Sequence, residues 1–230
     1  MKNSERVIYG LLLTIIVFLL VSFVGEKIKL SFQLVSFVTD SAMLILAIVL
    51  ICYFRKYVNF KIALPKFKTI WKPILLGIFV PVIVSFLFEI IGNLLGFKSE
   101  SHPALVLMSP LQVFLLVFIL ASVAEEVLFR GFLQNILKPL QVKGIKIFKR
   151  HISVPVIISA LAFSLAHLGL MKTDVGAFFI VSTLIFTFTL GLIAGYYQEK
   201  YDNNAYAILV HMGGNFIGLM GSLYESLILQ

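Results

Sequence analysis

An all-α protein that crosses a membrane about seven times is predicted by three features of this sequence. First, 60% of the residues are hydrophobic and only 13% charged, with a mean hydropathy of +1.03, outside the range of soluble globular domains. Second, the apolar residues gather into seven runs, each near the length of about 20 residues that a helix needs to span a bilayer. Third, 14 of the 19 Lys and Arg residues fall in alternate segments on one side of these runs. Only Lys27, Lys29, Lys98 and Lys172 fall on the other, and Arg130 lies within a run. This asymmetry follows the positive-inside rule, so the amino terminus and the basic loops are expected in the cytoplasm. Topology thereby accounts for the net charge of +8, and the expected partner is the lipid bilayer, with no nucleic acid.

The first run, residues 7–24, follows Lys2 and Arg6 and ends Ser22-Phe-Val-Gly-Glu-Lys. No small-residue cleavage pattern follows it, so it reads as an uncleaved first helix. A second span over 34–54 carries Asp40 near its outer end and leads into the basic loop 55–72. There Lys alternates with aromatic and aliphatic residues around Pro65, which suits a segment lying along an anionic inner leaflet. The third span, 73–95, holds Pro81 and Glu89, the latter read as a lone packing or outer-interface residue. Segment 96–110 is polar and outward-facing, with His102 expected in solvent.

The fourth span covers about 111–135 and is followed by a basic stretch, 143–150, with His151 at the interface. Pro155 suits the first turn of a fifth helix, which runs to about 170. A sixth span covers 176–197 and a seventh 206–229. The lone Cys52 permits no intrachain disulfide. One transmembrane domain over 1–230 is expected, with its polar motifs in a core of about 111–229.

Ionisable groups inside a span are costly and mark function by default. The fourth span carries three, in Ser122-Val-Ala-Glu125-Glu126-Val-Leu-Phe-Arg130. On a helix Glu126 and Arg130 share a face four residues apart and can pair, while Glu125 points roughly 100° away and stays free for proton work. His167 on the fifth span, and His211 with Asn215 on the seventh, are the other strong intramembrane polar candidates. At 1.5 Å per residue Glu125 lies roughly 15 Å, His167 roughly 18 Å and His211 with Asn215 roughly 8 to 14 Å from the inner ends of their helices. One layer in the inner half of the membrane can hold them all, and the site is expected to open toward the inner leaflet. A carboxylate beside a histidine can take a proton from water, and a second His with an Asn can stabilise an oxyanion. The same residue types also suit zinc, with Glu125, His167 and His211 as ligands, so residue type alone leaves both chemistries open.

Glu125-Glu126-x-x-x-Arg130, Phe163-x-x-x-His167, Phe188-x-x-Gly191-x-x-x-Gly195 and His211-x-x-x-Asn215, in this order on successive spans, resemble the motifs of the CPBP family. These are the CAAX protease and bacteriocin-processing (Abi) intramembrane peptidases, which include the Ras-converting CAAX endopeptidase. The resemblance implies that Glu125 with His167 activates a water and that His211 with Asn215 stabilises the oxyanion. Glu126 and Arg130 are then the structural pair, with Phe163, Gly191 and Gly195 in supporting roles. Descriptions of the family differ on whether a metal takes part; no obligatory metal is expected, and zinc stays open. The expected function is an endopeptidase of a bacterial plasma membrane that acts on a leader, pheromone or bacteriocin-type peptide, or another membrane-associated protein substrate. A non-catalytic bacteriocin-immunity or adaptor protein, and a small transporter, are the alternatives.

Overall fold

The computed structural model describes residues 1–98, 100–147 and 149–228. Among the described residues seven helices are long and apolar enough to cross a membrane: Asn3–Lys27, Phe32–Tyr53, Phe67–Leu95, Pro110–Gln134, Val154–Lys172, Ala177–Tyr201 and Ala205–Ile228. This is a multi-pass, all-helical membrane protein, as its composition requires. The boundaries agree with the apolar runs to within a few residues, except that the third helix begins at Phe67 inside the basic loop. Leu229, expected to end the seventh span, lies outside the described residues.

Local chemistry sets the helix ends. Ser109 and Gln112 form a capping box ahead of the fourth span with Pro110 in its first turn, which satisfies donors that a helix start leaves orphaned. Ser153 caps the fifth span by accepting from the Val156 backbone, with Pro155 in the first turn. Gly96 takes the left-handed conformation that ends the third helix, at φ 78°. Between spans three and four, Pro103–Leu107 forms a short helix capped by His102. His102 is half-buried and not the solvated residue expected. Burial pushes its imidazole below the ordinary value, which keeps Nδ1 an acceptor for the Ala104 N–H at 3.2 Å.

The basic stretch after the fourth span forms a hairpin, β1 (Gly144–Ile147) and β2 (Arg150–Ser153), with Ile145 opposite Ile152 and Lys146 opposite His151. Arg150 lies over the Tyr196 ring at 5.4 Å, which ties the hairpin to the sixth helix.

The fourth span is central, packing against the first, second, fifth, sixth and seventh helices. Burial is concentrated at the end of the bundle that bears the basic loops. The second helix buries Met43, Ala47 and Ile51. The sixth buries Thr187, Leu190, Gly191, Ala194, Gly195, Tyr197 and Gln198. The fourth is buried at every residue from 126 to 137. Toward the opposite end only Val113 is buried among 111–121, and only Thr187 among 177–189.

Small residues let the helices in the packed half approach closely, since apolar lipid offers no hydrophobic drive between them. Gly77 of the third helix faces the Val210 carbonyl of the seventh, and a Cβ on Gly213 would lie 2.9 Å from the Ile74 carbonyl. Gly214 and Gly218 face Leu190 and Leu105 of the same chain. Gly77→Val should therefore force these two backbones apart and cost about 1–3 kcal/mol, the usual range for overpacking. Gly221→Ala, which meets nothing within 4 Å, should leave stability unchanged. Thermal unfolding in detergent separates them, and equal melting temperatures would contradict the close crossing.

Candidate active site

The catalytic candidates of the fourth span sit in a single α-helical turn, Ser122–Glu126, between two π-helical segments, Val113–Ala121 and Val127–Gln134. Such wide turns recur at functional sites. The Val117 carbonyl, inside the first of them, accepts from Ser122 Oγ at 3.4 Å and from Asn215 Nδ2 at 3.2 Å. The α-helical turn keeps the two acids on different faces. Glu126 is 0% exposed, whereas the Glu125 side chain is 21% exposed.

Glu126 and Arg130 pair as their spacing predicts, Nη1 to Oε1 at 2.9 Å, with both side chains fully buried. The same Glu126 oxygen also meets His211 Nδ1 at 2.9 Å, a contact 85 residues apart in sequence. Nδ1 is therefore the donor, and Nε2 of His211 faces Glu125 Oε2 at 3.6 Å. Glu126 thus orients a histidine as well as neutralising an arginine. Asn204, which the sequence reading missed, donates from Nδ2 to the Glu126 carbonyl at 3.2 Å and anchors the start of the seventh helix.

Phe163 sits among these groups and is 1% exposed. The Arg130 guanidinium lies 4.6 Å from its ring centroid, and its ring meets those of His167 at 5.0 Å and His211 at 5.4 Å. A cation over an aromatic face is attracted by the ring quadrupole, more strongly where water is excluded. The histidine four residues on, His167, bonds from Nδ1 to the Phe163 carbonyl at 3.0 Å, which leaves its Nε2 open. Among the described residues no hydrogen bond or ion pair joins His167 to Glu125.

Asn215 spends both Nδ2 hydrogens, one on the Val117 carbonyl and one on Ser122 Oγ at 3.1 Å. It buttresses the π segment and can serve an oxyanion only by exchanging one of these bonds. Gly191 and Gly195 provide clearance: a Cβ on the first would lie 2.8 Å from Arg130 Nη2, and on the second 2.7 Å from Gln134 Oε1. Gln134, one turn past Arg130, donates from Nε2 to the Gly195 carbonyl at 2.9 Å and to Gln198 Oε1 at 2.8 Å, and accepts from Ser159 Oγ at 3.1 Å. Its four-residue spacing from Arg130 was the signal available for it.

Among the described residues no three His, Cys, Asp or Glu side chains converge as a metal site. Of the residues considered for zinc, Glu125 and His211 face each other, Oε2 to Nε2 at 3.6 Å, with His211 Nδ1 bonded to Glu126 as the second nitrogen of a metal-binding histidine commonly is. Every residue of the fourth span from 126 to 137 is buried, and a cavity lined by Gln134, Asn135, Lys138, Gln198 and Asp202 lies at the end that bears the basic loops. Glu89 is exposed on the third helix, away from the site.

Residues 107–217 match the Rce1-like family, described as type II CAAX prenyl endopeptidase Rce1-like. The match begins in the short helix capped by His102, ends just past Asn215, and takes in every motif residue described above, while the first three spans lie outside it. No curated protein and no solved structure gives a significant match. Over residues 107–217, a little under half of the chain, the sequence is similar to the Rce1-like CAAX endopeptidases, which is consistent with the CPBP intramembrane proteases that its four motifs resemble.

Proposed function

We propose that the chain is an intramembrane endopeptidase that hydrolyses a peptide bond with a water activated by Glu125. The division of labour between two adjacent acids carries this reading. Glu126 is fully buried and bonded to Arg130 and His211, whereas Glu125 is partly open, with His211 Nε2 3.6 Å from its Oε2. The Glu125 carboxylate takes a proton from water as the oxygen attacks the scissile carbonyl carbon. His167, through its open Nε2, is a second proton acceptor in the same layer.

The carbonyl oxygen then becomes an oxyanion. His211, held by Glu126 through Nδ1, turns Nε2 toward it, and Asn215 joins by exchanging one of its two bonds. Donors fixed in a site that excludes water stabilise developing charge far more than they would in bulk solvent. As the C–N bond breaks, the proton held on Glu125 passes to the leaving amine. These steps use side chains and water and call for no obligatory cofactor. By the positive-inside rule the basic loops face the cytoplasm of a bacterial plasma membrane. A leader, pheromone or bacteriocin-type peptide, or another membrane-associated segment, is the substrate class.

Cleavage of a quenched peptide library by the purified protein in lipid tests this directly. Wild type should cleave, Glu125→Gln should not, and a chelator should change nothing. Turnover by Glu125→Gln would overturn the assignment. Loss of activity in chelator that zinc restores would move Glu125, His167 and His211 to metal binding. Cleavage by neither protein would favour a non-catalytic immunity or adaptor role. In the same assay His167→Ala should slow turnover about 10²–10⁴-fold, the usual contribution of a positioned acid or base, without shifting the melting temperature. An unchanged rate would remove His167 from the mechanism.

A further inference from the structure

The end of the bundle that bears the basic loops holds a cavity of about 100 Å³, well above the roughly 10–15 Å³ that one water needs. It lies where the fourth helix ends at Gln134, the sixth ends at Tyr201 and the fifth begins at Val154, the level at which these helices leave the bilayer. Apart from one proline its lining is polar, and Gln134, Asn135, Lys138, Gln198, Glu199 and Asp202 all contribute. The reactive groups at 125, 167 and 211 take no part in it.

Two of these side chains are shielded from bulk water and still have bonding capacity to spare. Asn135 is 3% exposed and Gln198 5%. Asn135 spends both Nδ2 hydrogens on the Arg130 and Gly131 carbonyls, and its Oδ1 accepts no hydrogen bond among the described residues. Gln198 accepts from Gln134 at Oε1, and its Nε2 donates to nothing among them. Buried polar atoms are ordinarily paired, and here both residues line the cavity.

Charge decides what such a cavity holds. Glu199 and Asp202 bring two carboxylates and Lys138 a single ammonium, which is held on Asp202 Oδ1 at 2.8 Å. Glu199 Oε2 accepts from Ser153 Oγ at 2.5 Å, and no basic side chain pairs with Glu199 among the described residues. The carboxyl ends of the fourth and sixth helices add partial negative charge through their last carbonyls. The balance favours a cation. Glu199, Asp202 and Asn135 Oδ1 offer three acceptors, and a primary ammonium has three N–H donors to set against them, whereas a trimethylammonium has none.

We propose that this cavity binds a primary ammonium, supplied either by the headgroup of an ethanolamine phospholipid in the leaflet beside the basic loops or by a small soluble amine. Its occupant braces the helix end that carries Arg130, because Gln134 and Asn135 both line the cavity and Asn135 holds the Arg130 carbonyl at 2.9 Å. The site is separate from the proposed hydrolysis and stands or falls without it.

The protein is reconstituted with an equimolar mixture of phosphatidylethanolamine and phosphatidylcholine, and the lipid it retains is read by native mass spectrometry. Wild type should retain the ethanolamine lipid in preference to the choline lipid. Glu199→Gln and Asp202→Asn each remove a charge and keep the shape, and should weaken retention about 10-fold or more, the worth of one charge-assisted hydrogen bond. Asparagine also suits position 202, where the backbone is left-handed at φ 47°. Lys138→Met, which removes the competing cation, should retain the lipid at least as well as wild type. Soluble ethanolamine, titrated into the protein in phosphatidylcholine nanodiscs, reads the second source: a saturable rise in melting temperature without lipid retention assigns the site to a soluble amine. Absence of both effects, equal binding by wild type and the two carboxylate variants, or loss of binding in Lys138→Met, the mark of an anion site, would overturn the proposal.

Discussion

A carboxylate and a guanidinium buried together away from water are the constraint on which the rest of this structure depends. Taking two charges out of water is expensive, and their attraction offsets that cost only with good geometry and further hydrogen bonds. Glu126 and Arg130 meet part of this condition by recruiting neighbours, while Glu126 Oε2 and Arg130 Nε and Nη2 are buried without a hydrogen-bond partner among the described residues. His211 bonds to the Glu126 carboxylate, Phe163 lies under the guanidinium, and Asn135 donates to the Arg130 carbonyl at 2.9 Å. Each of these also ties the fourth span to a neighbouring helix or to its own end. The pair therefore organises the packed half of the bundle as well as the chemistry.

The glycines of the sixth helix follow from the same demand. Arg130 and Gln134 are long side chains that must lie flat between helices, and only a residue without a Cβ gives them room at 191 and 195. With Glu126 and Arg130 settled inward, Glu125 one residue earlier stays partly exposed. A single turn of α-helix between two π-helical segments thus separates a buried, ion-paired acid from a partly open one.

Much of this was legible in the sequence, for a physical reason. Charged and imidazole side chains are so costly in an apolar span that their mere presence at 125, 126, 130, 167 and 211 marked the site, and four-residue spacing gave the Glu126–Arg130 pair. What escaped was long-range or aperiodic. Nothing local indicates that Glu126 has a second partner at His211, or that Asn204 reaches its carbonyl. The π-helical segments leave no hydrophobic period to detect, and the hairpin at 144–153 is too short and too basic to stand out from a loop. Depth counted along each helix says nothing of how closely the helices pack around that layer, which depends on burial summed over several helices.

The central claim is that Glu126 holds the fold and Glu125 does not. Thermal or chemical unfolding of Glu125→Gln and Glu126→Gln in lipid nanodiscs measures this most directly. Glu125→Gln should unfold like the wild type, whereas Glu126→Gln, which strands the buried Arg130 charge, should lose about 3–5 kcal/mol. Equal stability of the two variants, or a larger loss in Glu125→Gln, would contradict the account.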